Sequence, residues 1–150
     1  IKKRTFGPNI KSAHFRTIIS GWGHATPADS DGRACAEWCF RTHKIKIDNV
    51  NKFSHYMGPI GCGSNPISNQ AGNWVPDRAG WCPGMVGPDR IDKFDSDVSN
   101  STLNFEYYFQ PWTNNFVGTP GYNNKNAYNA ISSFIVLKSD QQIEQATISN

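Results

Sequence analysis

The feature that most constrains the fold of this chain is the alternation of apolar and polar residues with a period of two. In Leu103–Gln110 every second residue is apolar or aromatic, and Glu106 falls on the opposite face. This pattern is typical of a β-strand with one buried face. No segment keeps a helical period over three turns. Similar strands are predicted at 13–20, 40–47 and 130–137.

Segments rich in turn-forming residues separate these strands, at 27–32, 58–63, 83–88 and 112–126. Asp29 and Asp31, in the first of them, are interpreted as turn formers. Several short strands with polar connections indicate an all-β protein, an antiparallel β-sandwich or jelly roll. The length of 150 residues suits one domain with its own core and is too short for two.

Charge and hydropathy exclude several classes of partner. The net charge is +3, and the 15 basic residues are scattered among 12 acidic ones rather than gathered into a stripe. This distribution argues against nucleic acid as a partner. No apolar run approaches the length of a membrane span, and Ile1 to Arg4 lack the apolar stretch of a signal peptide. We therefore expect that a leader was removed or that the chain begins inside a longer precursor.

Four cysteines allow three disulfide pairings. The short gap favours Cys35 with Cys39, which leaves Cys62 with Cys82. A zinc site fits poorly, because closely spaced ligand pairs occur only once. Disulfides form in oxidising compartments, so the cysteines predict a secreted or periplasmic protein.

The segment Cys35-Ala36-Glu37-Trp38-Cys39 holds an ionisable carboxylate beside an indole ring. A disulfide across three residues restricts the direction of Glu37, although so small a loop contributes little through chain entropy. A preoriented carboxylate with an aromatic wall suits a hydrolytic or sugar-binding site. The alternative interpretation is a disulfide that only stabilises a surface loop, in which Glu37 has no function and Trp38 is a packing residue. The pentapeptide leaves both interpretations open.

Tryptophans elsewhere in the connections suggest contacts with sugar rings. The segment 60–87 has almost no periodic pattern, yet it contains Trp74, Arg78 and Trp81, and such a segment is usually a functional loop. Trp22 lies at the end of a predicted strand between glycines that allow a ligand close to the backbone. Indole rings stack on the apolar faces of sugars. Trp74 and Trp112 are instead interpreted as packing residues.

Three long motifs carry a resemblance to a known family. They are 20–25 (SGWGHA), 35–43 (CAEWCFRTH) and 72–85 (GNWVPDRAGWCPGM), and further matching segments follow at 105–109, 112–115 and 130–134. From about Arg16 to about Ser139, with a changed loop between Val117 and Asn126, the chain resembles the second, C-terminal domain of the bacterial peptide-N-glycosidase F family.

The resemblance implies a fold and an activity. The family's fold is two eight-stranded antiparallel jelly rolls packed side by side, with the active site between them. The family's enzymes are secreted amidases that cut the bond between an asparagine side chain and the first N-acetylglucosamine of an N-linked glycan. They need no metal or cofactor. The resemblance also implies the disulfides Cys35–Cys39 and Cys62–Cys82.

The resemblance assigns roles to individual residues. Glu37 takes the position of an active-site glutamate. Trp22, Arg78 and Trp81 fall on positions that line the pocket for the two core sugars. Gly21, His24 and Trp38, which adjoin these positions in the motifs, are predicted to contact the substrate as well.

One departure from the family bears on activity. The family's principal catalytic group is an aspartate in the first domain, and residues 1–150 match only the second. The chain also starts after the opening strands expected for its own jelly roll. We therefore expect an incomplete catalyst, whose open sheet edge and missing catalytic groups are supplied by another polypeptide.

Three other functions fit parts of the sequence. A noncatalytic carbohydrate-binding module would also use the tryptophans. A copper monooxygenase domain would draw its ligands from His24, His43, His55, Met57 and Met85, but a His-x-His pair is lacking. A structural or interaction protein is disfavoured, because the tryptophans cluster in loops rather than on a broad apolar face. Asp92, Asp95 and Asp97 have the spacing of a calcium-binding loop, but the central glycine and the terminal glutamate of that motif are absent.

Overall fold

A computed structural model describes residues 2–64, 77–94, 96–116 and 126–149. Trp74 and Asp95, both discussed above, lie outside the described residues. The strands are β1 (Lys2–Thr5), β2 (Ser12–Trp22), β3 (Arg41–Ile47), β4 (Val50–Met57), β5 (Pro59–Ile60), β6 (Arg78–Ala79), β7 (Arg90–Lys93), β8 (Thr102–Phe109), β9 (Tyr128–Lys138) and β10 (Thr147–Ser149), with a short 3₁₀ turn at Cys62–Ser64.

The strands form two larger antiparallel sheets and a ribbon. Sheet A has the order β10-β1-β8-β3-β4, and sheet B has the order β7-β2-β9. A two-residue ribbon joins β5 to β6. The all-β antiparallel prediction is confirmed. The expected count of eight strands is wrong for the described residues: the two larger sheets hold eight, and the ribbon adds two more because it forms inside a connecting loop.

The four strands predicted from alternation are present as β2, β3, β8 and β9. In β2 every odd-numbered residue from Ala13 to Gly21 is buried. Polar side chains of these strands point outward: Lys46 and Glu106 form an ion pair at 2.6 Å on the outer face of sheet A. The described residues contain no helix long and apolar enough to cross a membrane.

Aromatic rings hold the two sheets together. Phe15 of β2 packs edge-on against Phe105 of β8, with ring centroids 5.2 Å apart, and also contacts Phe94 at 5.3 Å. Rings in these orientations attract one another beyond the area that they bury. Ile45 and Phe6 belong to the same buried cluster. The core is therefore built on aromatic side chains, which suits a chain with few aliphatic residues.

Both disulfides form with the predicted pairing, Cys35–Cys39 and Cys62–Cys82. Each lies outside the strands of the larger sheets. The first closes the loop after β2, and the second joins the 3₁₀ turn to the segment that follows β6. The disulfides therefore fix the two connections that carry the predicted site residues.

One pH-sensitive group of the sandwich is a buried histidine. His43 of β3 is 1% exposed and lies against the rings of Phe109 and Tyr107. Its Nδ1 has no hydrogen-bond partner in the described structure. Burial, with the positive charge of Arg90 and that of His55 when it is protonated, lowers the pKa of His43 to about 4.

His43 predicts a loss of stability in acid. The unfolded chain binds a proton at His43 near pH 6.5, whereas the folded chain resists it until about pH 4. As the pH is lowered from 6.5 to about 4, the free energy of unfolding should therefore decrease, by up to about 3 kcal/mol from this group. In His43→Phe this part of the dependence should vanish. Urea unfolding of both proteins from pH 7 to pH 4 measures it, and parallel pH profiles would contradict the assignment.

Candidate active site

The candidate site lies where β2 ends and the first disulfide loop folds back onto it. The Ala25 amide donates to the Cys35 carbonyl, and the Glu37 amide donates to the Gly23 carbonyl at 3.2 Å. His24 and Ala36 pair as an isolated antiparallel bridge. The backbone around Glu37 is therefore bound to the segment that directly follows β2 and does not depend on the disulfide alone.

Gly21 makes this close approach of the loop possible. Gly21 is buried, and a Cβ at this position would collide with the backbone carbonyl of Ala36. The Gly21 carbonyl also accepts a hydrogen bond from the indole of Trp81 at 2.6 Å. The structure thus places Gly21 beneath the site, where it positions the Glu37 loop and one tryptophan.

Glu37 is held through both carboxylate oxygens. Arg78 Nε donates to Oε1 at 2.8 Å, and the Gly23 amide donates to Oε2 at 3.3 Å. His24 Nε2 lies 3.5 Å from Oε2. The Glu37 backbone carbonyl accepts from the Ala79 amide at 2.8 Å. Since the Glu37 side chain is only 14% exposed, its carboxylate is fixed in direction while it stays within reach of solvent.

Arg78 reaches Glu37 from the β5–β6 ribbon. Its side chain is 5% exposed, and its guanidinium lies 5.0 Å from the ring of Trp38 and 5.1 Å from that of Trp81. A guanidinium that lies close to two indoles is stabilised by cation–π attraction to both rings. Arg78 Nη1 also lies 3.4 Å from Cys62 Sγ. The second disulfide therefore lies directly behind the arginine that orients Glu37.

Two tryptophans form an aromatic surface beside the carboxylate. The rings of Trp22 and Trp81 stack with centroids 3.9 Å apart and an interplanar angle of 19°. Trp22 donates its indole N–H to Ser20 Oγ at 2.8 Å and remains 37% exposed. Both rings are fixed by hydrogen bonds at one edge, so a flat apolar surface is held ready for a ligand.

The structure also places residues here whose role the sequence did not reveal. Tyr128, 55% exposed, pairs with Trp22 across β2 and β9, next to the aromatic surface. Extending the predicted strand 130–137 by two residues toward the amino terminus would have reached it. Trp112, interpreted as a packing residue, does pack, against a cluster that contains Cys35 and Cys39.

Asp29 forms the turn predicted for it, and its carboxylate also binds backbone amides and the side chain of Arg41. Its backbone carbonyl accepts from the Gly32 amide at 2.9 Å. Its carboxylate accepts from the amides of Asp31 and Arg33 and pairs with Arg41 at 3.0 Å. Burial alone would raise the pKa of Asp29, but these hydrogen bonds hold that pKa below its usual value. Asp29 thus anchors the loop that carries Glu37 to the start of β3.

The candidate copper ligands do not form one group in the described residues. His43 and His55 lie opposite each other in β3 and β4, but His55 pairs with Asp92 at 2.7 Å. His24 lies elsewhere, beside Glu37 in the candidate site. One group of potential metal-binding side chains, Asp29 with Cys35 and Cys39, is found in the described part of the chain. Its two cysteines are joined in a disulfide, so neither is a free thiolate for a metal.

Comparison with known proteins identifies the family of this chain. Residues 3–136 match the family described as peptide-N-glycosidase F, C terminal. The chain is 54% identical over 143 residues to peptide-N(4)-(N-acetyl-β-D-glucosaminyl)asparagine amidase F of Elizabethkingia miricola, covering 95% of this chain and 39% of that protein.

Solved structures give the same result. The structure of PNGase F, a glycosylasparaginase from Flavobacterium meningosepticum, matches with a TM-score of 0.85 and 52% identity, over 99% of this chain and 46% of that one. A second crystal structure, of a peptide-N(4)-(N-acetyl-β-D-glucosaminyl)asparagine amidase, matches with the same TM-score, identity and coverage. The chain thus spans less than half the length of the relatives that it matches.

The Arg78–Glu37 pair predicts a site-specific cost of an Arg→Lys substitution. Lysine keeps the charge but loses the planar contact with both indoles and the geometry of the Nε bond. We expect Arg78→Lys to lower the free energy of unfolding by at least about 2 kcal/mol, because a buried charge is left poorly paired. Urea unfolding measures the change.

Arg16→Lys is the matched control. Arg16 makes two hydrogen bonds to Asp89, at 3.0 and 2.8 Å, but both side chains are well exposed. Exposed pairs contribute about 1 kcal/mol or less. Equal losses in the two variants would show that Arg78 gains nothing from its enclosure by Trp38 and Trp81.

Proposed function

Because the chain belongs to the family of peptide-N-glycosidase F C-terminal domains, we propose that it forms one wall of an amidase active site that accepts N-linked glycans. The bond cleaved is the amide between an asparagine side chain and the first N-acetylglucosamine. Hydrolysis of that bond adds water, leaves an aspartate in the peptide and releases the sugar as a glycosylamine. The complete site also includes polypeptide that this chain does not contain.

The observation that carries the proposal is the fixed carboxylate of Glu37 next to the Trp22–Trp81 stack. One oxygen of Glu37 is occupied by Arg78 at 2.8 Å. The other faces the Gly23 amide and the half-exposed side chain of His24. An oxygen of this kind can accept a further hydrogen bond from a water molecule or from the sugar side of the amide.

Amide hydrolysis requires a positioned water, polarisation of the carbonyl and a proton for the leaving nitrogen. We assign to Glu37 the orientation of the water or of the N-acetylglucosamine. Arg78 keeps Glu37 in that orientation and so acts as a positioning residue. Activation of the water belongs to a group outside this chain, in agreement with the family resemblance, which puts the principal aspartate in the first domain.

The tryptophans account for recognition of the glycan. The exposed face of Trp22 is the part of the stack that can receive the apolar face of a sugar. Trp81 holds Trp22 from behind and is itself fixed to Gly21. His24 lies beside Glu37, and its ring is 5.9 Å from that of Trp38. We propose that all four side chains line the pocket for the core sugars.

We also propose that the protein acts in a secreted or periplasmic setting. All four cysteines are joined in disulfides, and no free cysteine remains. Disulfides persist in oxidising compartments. N-linked glycoproteins, the proposed substrates, would be met outside the cell.

A noncatalytic glycan-binding function is the second candidate, because the Trp22–Trp81 stack lies wholly within this chain. The two functions differ in the product. We propose testing a chimera in which this chain replaces the matching region of the E. miricola amidase F. Release of glycan with conversion of asparagine to aspartate, detected by peptide mass, supports the amidase. Binding of glycan by a folded chimera with unchanged peptide supports the binding module.

Glu37→Gln should abolish most of the chimera's activity. Glutamine keeps the size of the side chain but removes the charge that pairs with Arg78, so kcat should fall about a hundredfold or more. Circular dichroism checks that the fold is retained. Glu106→Gln is the control, because Glu106 pairs with Lys46 on the outer face of sheet A, and its kcat should equal that of the parent. If Glu37→Gln turned over substrate at nearly the parental rate, the role of the Cys35–Cys39 loop would be structural only.

Trp22→Ala should affect binding more than turnover. Removing the ring takes away stacking area for the sugar but leaves Glu37 and Arg78 bound to each other. We expect KM for a glycopeptide to rise about tenfold, with kcat within a few-fold of the parent. Steady-state kinetics on one glycopeptide separates the two constants. An unchanged KM would remove Trp22 from the sugar-binding surface.

A further inference from the structure

Four side chains on the outer face of sheet A lie at the corners of a small square. Tyr56 lies opposite Thr42, and Ser54 lies opposite Lys44, where β4 pairs with β3. They point away from the core, since His43, between Thr42 and Lys44, is buried on the inner face. Diagonal neighbours in such a pair of strands are about 7–8 Å apart. One small molecule can therefore contact all four side chains, which we call the outer patch.

Tyr56 contributes an open aromatic ring that is supported from below. Tyr56 is 63% exposed. Its ring lies close to Gly58, where a Cβ would stand 2.9 Å from Cε1 of the tyrosine. A larger residue at this position would displace the ring. The Gly58 carbonyl in turn accepts a hydrogen bond from the Gly80 amide at 3.2 Å. An exposed ring held in this way can stack on the apolar face of a sugar.

Lys44 contributes a positive charge that is not neutralised. Among the described residues no carboxylate forms an ion pair with Lys44, whereas Lys46 pairs with Glu106 at 2.6 Å. The Lys44 ammonium lies 5.9 Å from the ring of Tyr108, within the range of cation–π attraction. Tyr108 thus keeps the ammonium near the surface of the sheet but does not cancel its charge. Lys46 and Glu106 satisfy each other and lie outside the outer patch.

We propose that the outer patch binds a sugar that carries a carboxylate, as sialic acids and uronic acids do. The apolar face of the sugar stacks on Tyr56, and its carboxylate pairs with Lys44 at the diagonal corner. The hydroxyls of Thr42 and Ser54, at the other two corners, donate to or accept from the hydroxyls of the sugar. The site thus joins an aromatic ring, a cation and two hydroxyls.

Two other occupants use only part of this set. A neutral sugar stacks on Tyr56 but gains nothing from the charge of Lys44. An acidic peptide pairs with Lys44 but has no need of an open ring supported by Gly58. The inference does not rest on the proposed function, because Trp22 belongs to sheet B and the outer patch to sheet A.

A titration followed by NMR tests both the ligand and its position. We expect sialyllactose or digalacturonic acid to shift the amides of 42–44 and 54–58, and the tighter ligand identifies the class of acidic sugar. Lactose, which lacks the carboxylate, should bind at least about tenfold more weakly. Failure of both acidic sugars to bind saturably, or binding no tighter than that of lactose, would overturn the proposal. If the isolated chain does not fold, the chimera described above is titrated by the same criteria.

Two substitutions test the individual contacts. Tyr56→Ala should weaken binding of the acidic sugar about tenfold through lost stacking, and Lys44→Gln about fivefold through lost charge. Lys93→Gln is the matched control, because it removes the same charge from an exposed position of β7 in sheet B, and it should bind like the parent. Circular dichroism checks the fold of each variant. Equal affinities of Lys44→Gln and Lys93→Gln would contradict the pairing with the carboxylate.

Three further outcomes separate this inference from its rivals. Shifts confined to the amides around Trp22 and Glu37 would put the acidic sugar in the candidate active site and overturn the outer patch. Hexaglutamate that binds as tightly as the acidic sugar, with no effect of Tyr56→Ala, would reduce the patch to a charge and also overturn it. Shifts at the outer patch in a chimera that releases no glycan would support the inference and contradict the proposed function alone.

Discussion

The buried ion pair between Glu37 and Arg78 is the contact on which the functional half of the molecule depends. It adds a side-chain link between three segments that backbone hydrogen bonds also hold together: the first disulfide loop, the end of β2 and the β5–β6 ribbon. A carboxylate and a guanidinium that have both lost most of their water need good geometry to compensate. That geometry is supplied by the indoles of Trp38 and Trp81 and by the Gly23 amide.

The sandwich and the loops use aromatic residues in different ways. Between the sheets, Phe15, Phe94 and Phe105 meet edge-on and at tilted angles, which fills the space and hides the rings. Around the site, Trp22 and Trp81 lie nearly parallel, and the face of Trp22 stays open. The first arrangement stabilises the fold through burial, and the second leaves apolar surface ready for a ligand.

Alternation predicted β2 and β3 because each has one clearly buried face. It also predicted β9 from its apolar residues, although none of the side chains of β9 is fully buried. It missed β4, since polar His55 takes an inward position and the strand lies at an edge. The remaining strands, such as β1 and β7, have four residues or fewer and are too short to show a period. Cysteine spacing was enough to favour the disulfide pairing that the structure has.

The site itself was less accessible to sequence reasoning. Glu37 and Arg78 are 41 residues apart, and no local pattern connects them, so only the family resemblance put both in one pocket. The contact of Asp29 with Arg41 was missed because a short aspartate in a polar stretch reads as a turn residue. Such contacts depend on how the loops fold back, and periodicity carries no information on that.

The close approach of the Ala36 carbonyl to Gly21 has a consequence for protein engineering. The loop that carries Glu37 fits only over a strand that leaves the space of one methyl group empty at this position. Grafting residues 35–39 into another β-sandwich would therefore transfer Glu37 without the space that its loop needs, unless the receiving strand also had a glycine at the position of Gly21. The smallest portable unit of this site is the loop together with the end of β2.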